Sequence, residues 1–340
     1  MQMQIKNKYI LFAGLILMLI MLFALNIFIG VAKISFSDAI SALFGSSGNE
    51  ITDEIVFNYR LPKAITALLT GAALSVSGLL MQTLFRNALA GPDVLGVSSG
   101  AGLGVALLTL LSGTTLYPFI ETLGSMAQVL MAVFGALLVL LLILSVSARI
   151  SDSVTILVLG MIFGYVTGAA ITVLQSFADP DSLKLFITWT FGSLSNVTWD
   201  KMPLLALFVI SGVMVVFFLQ KPLNTLLLGE RYAASTGMNV QKIRLIIIIT
   251  TAIITGVVTA FSGPIAFVGV VIPHFARSLF GTVNHKTIIP ATLLLGAILL
   301  IGCDIISQIP LSNRSLPINA VTALFGAPMI VWIVLKRKKL

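Results

Sequence analysis

Leu228 to Val240, reading LGERYAASTGMNV, interrupts two strongly apolar runs with a short charged stretch punctuated by glycine. Glu230 to Ser235 is helix-permissive. Gly229 stands before it, and Thr236-Gly237 supplies a residue free to take positive φ where the stretch stops. The expected product is a short helix outside the apolar body of the protein. The small residues Ala233 and Ala234 would let a partner protein approach closely, while Glu230 and Arg231 would fix its orientation. A solvated connector is the alternative that these residues alone leave open.

The surroundings of that stretch decide the class. Hydrophobic residues make up 58% of the 340 and charged residues only 9%, where a soluble domain carries roughly 25% charged. This is the composition of an all-α polytopic membrane protein. The net charge of +8 would suit nucleic acid if it were gathered on one face. Here the basic residues are scattered between apolar runs, which excludes a nucleic-acid surface and points to membrane orientation. Cys303 is the only cysteine, so no intrachain disulfide forms. Tyr9 to Ala32, preceded by Lys6 and Lys8, is too long for a signal-peptide core and reads as a retained first span.

Windows of about twenty apolar residues predict ten spans: 9–32, 61–84, 94–112, 119–146, 153–176, 202–220, 243–261, 264–281, 287–309 and 316–335. With both termini on the cytoplasmic side, fourteen of the twenty basic residues fall inside and six outside. Removing the eighth span, short and holding Pro264, Pro273 and Arg277, leaves nine inside against eleven outside. The positive-inside rule favours ten. The chain then forms one permease domain, 1–340, with 221–242 as a cytoplasmic segment inside it. Asp93 counts among the internal charges. Two outer stretches look ordered: Ser35 to Phe44, with Ser37 as a helix cap, and Ser182 to Leu194, with Trp189 and then Trp199 suited to the membrane interface.

Gly160, Gly164 and Gly168 share one face of the fifth span, so they serve either close helix packing or the lining of a passage. Thr66 to Gly78 (TALLTGAALSVSG) and Thr251 to Gly263 (TAIITGVVTAFSG) agree at six of thirteen positions. Five spans separate them, so the copies would cross in opposite directions as an inverted repeat. Small residues, abundant in spans, also give such agreement by chance.

Motifs for chemistry are absent. No GxxxxGK[ST] loop exists for ATP, and no HExxH pattern for a catalytic metal. His274 and His285, near span ends, suit structural roles better than ligation of a metal or heme. Asp304 is the best acid within a span, without an evident cationic partner in the sequence. A proton-coupled transporter needs ionisable groups in the membrane, and an intramembrane enzyme needs an activated nucleophile. Neither is evident, so no catalytic residue, metal or cofactor is assigned and the driving force must come from another chain.

Several stretches carry a resemblance: Arg60-Leu61-Pro62-Lys63; Gly71-Ala72-Ala73-Leu74 with Ser77-Gly78; Gln82, Arg86-Asn87, Leu89-Ala90 and Pro92; Leu95-Gly96 with Ser99-Gly100-Ala101; Leu228-Gly229-Glu230 with Ala233 and Gly237; Phe267-Val268-Gly269; Ile272-Pro273-His274 with Arg277; Leu316-Pro317-Ile318 with Thr322-Ala323 and Gly326-Ala327-Pro328. In order and spacing the chain resembles the transmembrane subunits of bacterial ABC importers for iron-siderophores, heme and cobalamin. It departs at Ala88, where proline is usual after Arg-Asn, at Val270, where leucine is usual, and at Asn319, where glycine is common.

The resemblance implies ten helices per subunit in the bacterial cytoplasmic membrane and a second permease subunit, identical or homologous. It also implies two cytoplasmic ATPase subunits that bind the ATP, and an extracytoplasmic binding protein. The ATPase contact then corresponds to Gly229, Glu230, Arg231, Ala233, Ala234 and Gly237. Arg60, Lys63 and Arg314 correspond to basic residues that meet the binding protein, and Asn319 puts an amide near the outer start of the tenth helix, where it would face cargo. An ion-gradient-driven secondary transporter is the reading from another class.

Overall fold

The computed structural model describes residues 2–30, 34–43, 48–110, 117–147, 153–308 and 315–337. Every regular element among them is helical: α1 (Gln2–Phe28), α2 (Phe36–Leu43), α3 (Glu50–Glu54), α4 (Leu61–Leu84), α5 (Val97–Leu110), α6 (Tyr117–Ser147), α7 (Ser153–Phe177), α8 (Pro180–Thr190), α9 (Met202–Phe218), α10 (Gln220–Leu227), α11 (Glu230–Ser235), α12 (Val240–Ser262), α13 (Val268–Phe280), α14 (His285–Ser307) and α15 (Ile318–Arg337), with a π-helical turn, Ile55–Arg60, leading into α4.

Each of the ten expected spans holds a helix, but the helices are unequal. Six are long and apolar enough to cross a membrane, and a seventh counts if α9 and α10, bent by 56° at Leu219, form one span. The helices in the remaining windows, α5, α13 and α15, are shorter in their apolar part. Sequence windows missed this because they read across the non-helical chain at 85–96 and 263–267. The outer stretches are α2 and α8. The α2 cap is Ser35, whose Oγ accepts from Asp38 N at 3.1 Å, and not Ser37. Asp179, one turn before the expected start, caps α8 through Asp181 N and Ser182 N.

The buried centre is α4, packed against α14, α13 and α12. Between apolar helices in lipid, association depends on close contact and hydrogen bonds, and α4 has both. A Cβ on Gly71 would lie 2.2 Å from Gly296 O, and one on Gly296 would lie 2.3 Å from Gly71 O. Further along, a Cβ on Gly78 would lie 1.7 Å from Gly269 O. Only glycine permits these approaches, and they bring side chains within reach of the neighbouring backbone. Ser75 Oγ donates to Thr292 O at 3.0 Å, and Gln82 Nε2 donates to Val270 O at 3.0 Å. The two similar stretches fall on α4 and α12, which touch through the Thr70 and Ser262 hydroxyls, 3.3 Å apart.

The chain that follows each similar stretch is not a simple turn. After α4 it runs through Arg86 at φ 48° and Gly96 at φ 72°. After α12 it runs through Gly263 at φ 72° and Phe267 at φ 70°. The two segments meet, with Phe267 N donating to Asp93 Oδ2 at 2.8 Å. Asp93 therefore lies at the junction of two broken segments.

Gly78→Ala is expected to destabilise the fold by about 1 to 3 kcal/mol or more through overpacking. Gly14→Ala, where a Cβ meets nothing within 4 Å, should stay within about 0.5 kcal/mol of the parent. Thermal unfolding of the purified protein in detergent separates the two; equal midpoints would discount the α4–α13 contact.

Candidate functional site

Three groups of side chains stand out, beginning with α11. Gly229 at φ 109° and Gly237 at φ 84° bound it, as the sequence requires. Its end is closed by Gly237 N to Ala234 O at 3.0 Å and Met238 N to Ala233 O at 3.3 Å. The two alanines part company: Ala233 is fully buried against the protein's own body, and Ala234 is exposed. Glu230 is not left for a partner to orient, because it pairs with Arg244 on α12. That pair is solvent-accessible and worth under about 1 kcal/mol, but it ties α11 to the helix that follows. Arg231 and Tyr232 face outward. Tyr232 is the one aromatic of the segment Leu228 to Val240.

Behind α11 a cavity of about 270 Å³ is lined by Gln82, Thr83, Arg86, Asn87, Arg277 and His285, among others. Arg277 hydrogen-bonds Gln82 Oε1. His285 is fastened by Asn224 Oδ1 at 2.8 Å from Nδ1 and Thr83 Oγ1 at 3.0 Å from Nε2. It thus joins α10, α14 and α4. No group of three metal-binding side chains occurs among the described residues.

At the opposite end Asp304 does have a cationic partner. Lys63 Nζ lies 2.9 Å from its Oδ1, while Asn26 and Gln308 each donate to Oδ2 at 2.8 Å. The sequence hid this because Lys63 and Asn26 come from α4 and α1, more than two hundred residues away. Arg60, expected on the outer face, is 6% exposed. Its guanidinium donates to Ile27 O and Phe28 O at 2.8 and 2.9 Å, closing the carboxyl end of α1. Arg314 lies outside the described residues.

The third group surrounds a cavity of about 260 Å³ whose wall includes Asp93, Ser99, Gly168, Trp189, Thr190 and Asn319. Asp93, counted from sequence with the internal charges, thus shares a cavity with residues of the stretch expected outside. The three glycines of α7 differ. A Cβ on Gly160 would lie 2.8 Å from Leu95 Cα, one on Gly164 would make ordinary contact 3.7 Å from Ser99 Oγ, and one on Gly168 would meet nothing within 4 Å. Gly160 packs; Gly168 borders the cavity. Asn319 Oδ1 accepts from Ala266 N at 3.4 Å.

Comparison with known proteins gives a consistent picture. The profile of the FecCD transport family matches residues 17–336. An ABC transporter permease protein of Methanocaldococcus jannaschii is 34% identical over 318 residues, 90% of each chain. The vitamin B12 import system permease protein of Klebsiella pneumoniae is 36% identical over 283 residues, 83% of each chain. Among solved structures, an inward-facing conformation of a metal-chelate type ABC transporter superposes with a TM-score of 0.80 at 28% identity, covering 96% of this chain and 99% of that one.

Lys63→Met should cost about 3 to 5 kcal/mol, because it leaves Asp304 buried and uncompensated. The double replacement Lys63→Met with Asp304→Leu should recover most of the loss. Denaturation of the three purified proteins checks this; a double variant no more stable than Lys63→Met would show that the pair does not set the cost.

Proposed function

Because this chain belongs to the FecCD transport family, we propose that it is the transmembrane subunit of an ATP-driven importer for a large metal chelate, foremost an iron complex such as a siderophore or heme. In this reading it lies in the bacterial cytoplasmic membrane with both termini inside. A second permease subunit, identical or homologous, completes the passage. Two cytoplasmic ATPases supply the energy, and an extracytoplasmic binding protein delivers the cargo.

The observation that carries the reading is the way α11 is mounted. A push is transmitted only by an element that is itself anchored, and it shifts an equilibrium only if the two states are contacted differently. Residues 221–242 form the coupling segment. Arg231, Tyr232 and Ala234 are its outward surface, while Ala233 and the Glu230–Arg244 pair root it in the protein. From there force passes along α12 to α4 and α6, and through the Asn224–His285–Thr83 chain from α10 to α14.

A cobalamin cargo is the second reading, favoured by the vitamin B12 permease among the relatives. Competition separates the two: excess cobalamin should leave uptake of the labelled iron complex unchanged if iron is the cargo.

In proteoliposomes holding the permease, its ATPase and its binding protein, accumulation should require ATP. Replacing Glu230 and Arg231 by leucine should reduce uptake roughly 5- to 150-fold, the usual range of a coupling free energy, while ATP hydrolysis and membrane insertion persist. Normal uptake by that variant would overturn the role of α11. Uptake that survives ATP depletion but collapses with the membrane potential would replace the importer with a gradient-driven transporter.

A further inference from the structure

From the cavity at the junction of the broken segments we infer that Asp93, the acidic residue among the described residues of its wall, selects cargo by charge when ionised, admitting neutral or cationic chelates and disfavouring anionic ones. The inference rests on the importer reading above, since it takes this cavity as part of the cargo route.

Three observations support it. First, no lysine, arginine or histidine lines the cavity among the described residues, so Asp93 has no cation beside it in that part of the wall. Second, Asp93 is held in place. Phe267 N binds its Oδ2 at 2.8 Å, and Phe267 is fixed in a left-handed conformation at the start of α13. Burial pushes the Asp93 carboxyl above the usual carboxylate range, while the Phe267 N–H favours its ionised form and keeps it in the frame when cargo enters. Third, the rest of the wall offers uncharged contacts: the Ser98, Ser99 and Thr190 hydroxyls, the aromatic faces of Phe186 and Trp189, and Asn319. The Asn319 amide nitrogen has no hydrogen-bond partner among the described residues.

A single carboxylate between low-dielectric walls produces a potential felt across a passage of this size. A chelate whose surface carries amides, hydroxyls or an ammonium group meets matching partners. A polycarboxylate or catecholate complex with several negative charges is repelled without any compensating contact. The cargo class that fits is an uncharged or positively charged chelate, hydroxamate-like or amide-rich.

The potential can be read without knowing the cargo. Ser99→Cys places a thiol in the cavity wall, and the native Cys303 is buried and serves as background in the parent. In the reconstituted complex at pH 8, labelling rates are compared for a trimethylammonium-ethyl and a sulfonato-ethyl methanethiosulfonate, normalised to a small free thiol. The cation should be favoured by about tenfold, the lower end of electrostatic focusing in clefts. Adding Asp93→Asn, which keeps an acceptor for Phe267 N, should bring the ratio close to that of the free thiol. Adding Asn319→Asp, which leaves Asp93 untouched, should raise it. A ratio unmoved by both changes, or a thiol that neither reagent reaches, overturns the inference. ATP-dependent uptake is measured on the same vesicles. Uptake that still requires ATP beside an unmoved ratio sinks charge selection alone; uptake that does not require ATP beside a shifted ratio sinks the importer and leaves the charged cavity standing.

Discussion

Backbone contact between α4 and α14 is the constraint from which the remaining geometry follows. In water, two apolar helices associate because burying their surfaces releases solvent; in lipid that gain vanishes, and dispersion with hydrogen bonding must suffice. Dispersion falls off within an ångström of contact. The reciprocal approach of Gly71 and Gly296 brings the two backbones into direct contact. Gly78 against Gly269 repeats the device for α13. Once α13 is fixed there, its first residues stand beside the chain that follows α4. Phe267 N then finds Asp93, and the cavity wall is complete.

Two parts of the bundle are held differently. At the corner of α1, α4 and α14, charge does the work: Arg60 closes α1, and Lys63, Asn26 and Gln308 converge on Asp304. Each bond is directional, and removing one partner strands a buried charge. Asn26 Oδ1 at this corner, and the hydroxyls of Ser77 on α4 and of Thr251 and Thr255 on α12, are buried polar atoms that find no partner among the described residues. Each such group costs stability. Thr70 and Ser262 provide the side-chain bond across the seam of α4 and α12. The corner is pinned by an ion pair and its hydrogen bonds, and α4 meets α12 through one pair of hydroxyls among the described residues.

What could be read from the chain beforehand follows the range of the forces involved. The bounds of α11 are local chemistry, since two glycines and a run of helix formers decide them, and sequence and structure agree from Glu230 to Ser235. The apolar spans are likewise a property of their own residues. Pairing is another matter. Nothing near Asp304 announces Lys63, and nothing near Glu230 shows that Arg244 rather than another protein would meet it. Gly160, Gly164 and Gly168 look alike in sequence, and only their neighbours separate the one that packs from the one that borders a cavity. The contact of Asp93 was hidden for a related reason: sequence counts it only among the internal charges, whereas Arg86 and Gly96 at positive φ shape the chain so that it meets the segment after α12.

The difference between corner and seam bears on how a push at one end could act at the other. A helix moves as a unit only if it is stiff along its length and loosely held across it. α12 is an unbroken helix from Val240 to Ser262, tied to α11 at its start by Arg244. At its far end lies Gly263, and beyond that the segment whose Phe267 grips Asp93. Few directional bonds oppose a small displacement against α4, while the α1–α4–α14 corner is pinned by charge. Towards the Gly263 end Ala260 O accepts from Gln128 Nε2 and Trp189 Nε1, so α12 is fastened to α6 and α8 close to the Asp93 cavity. The same broken segment that shapes the cavity follows the helix to which α11 is tied.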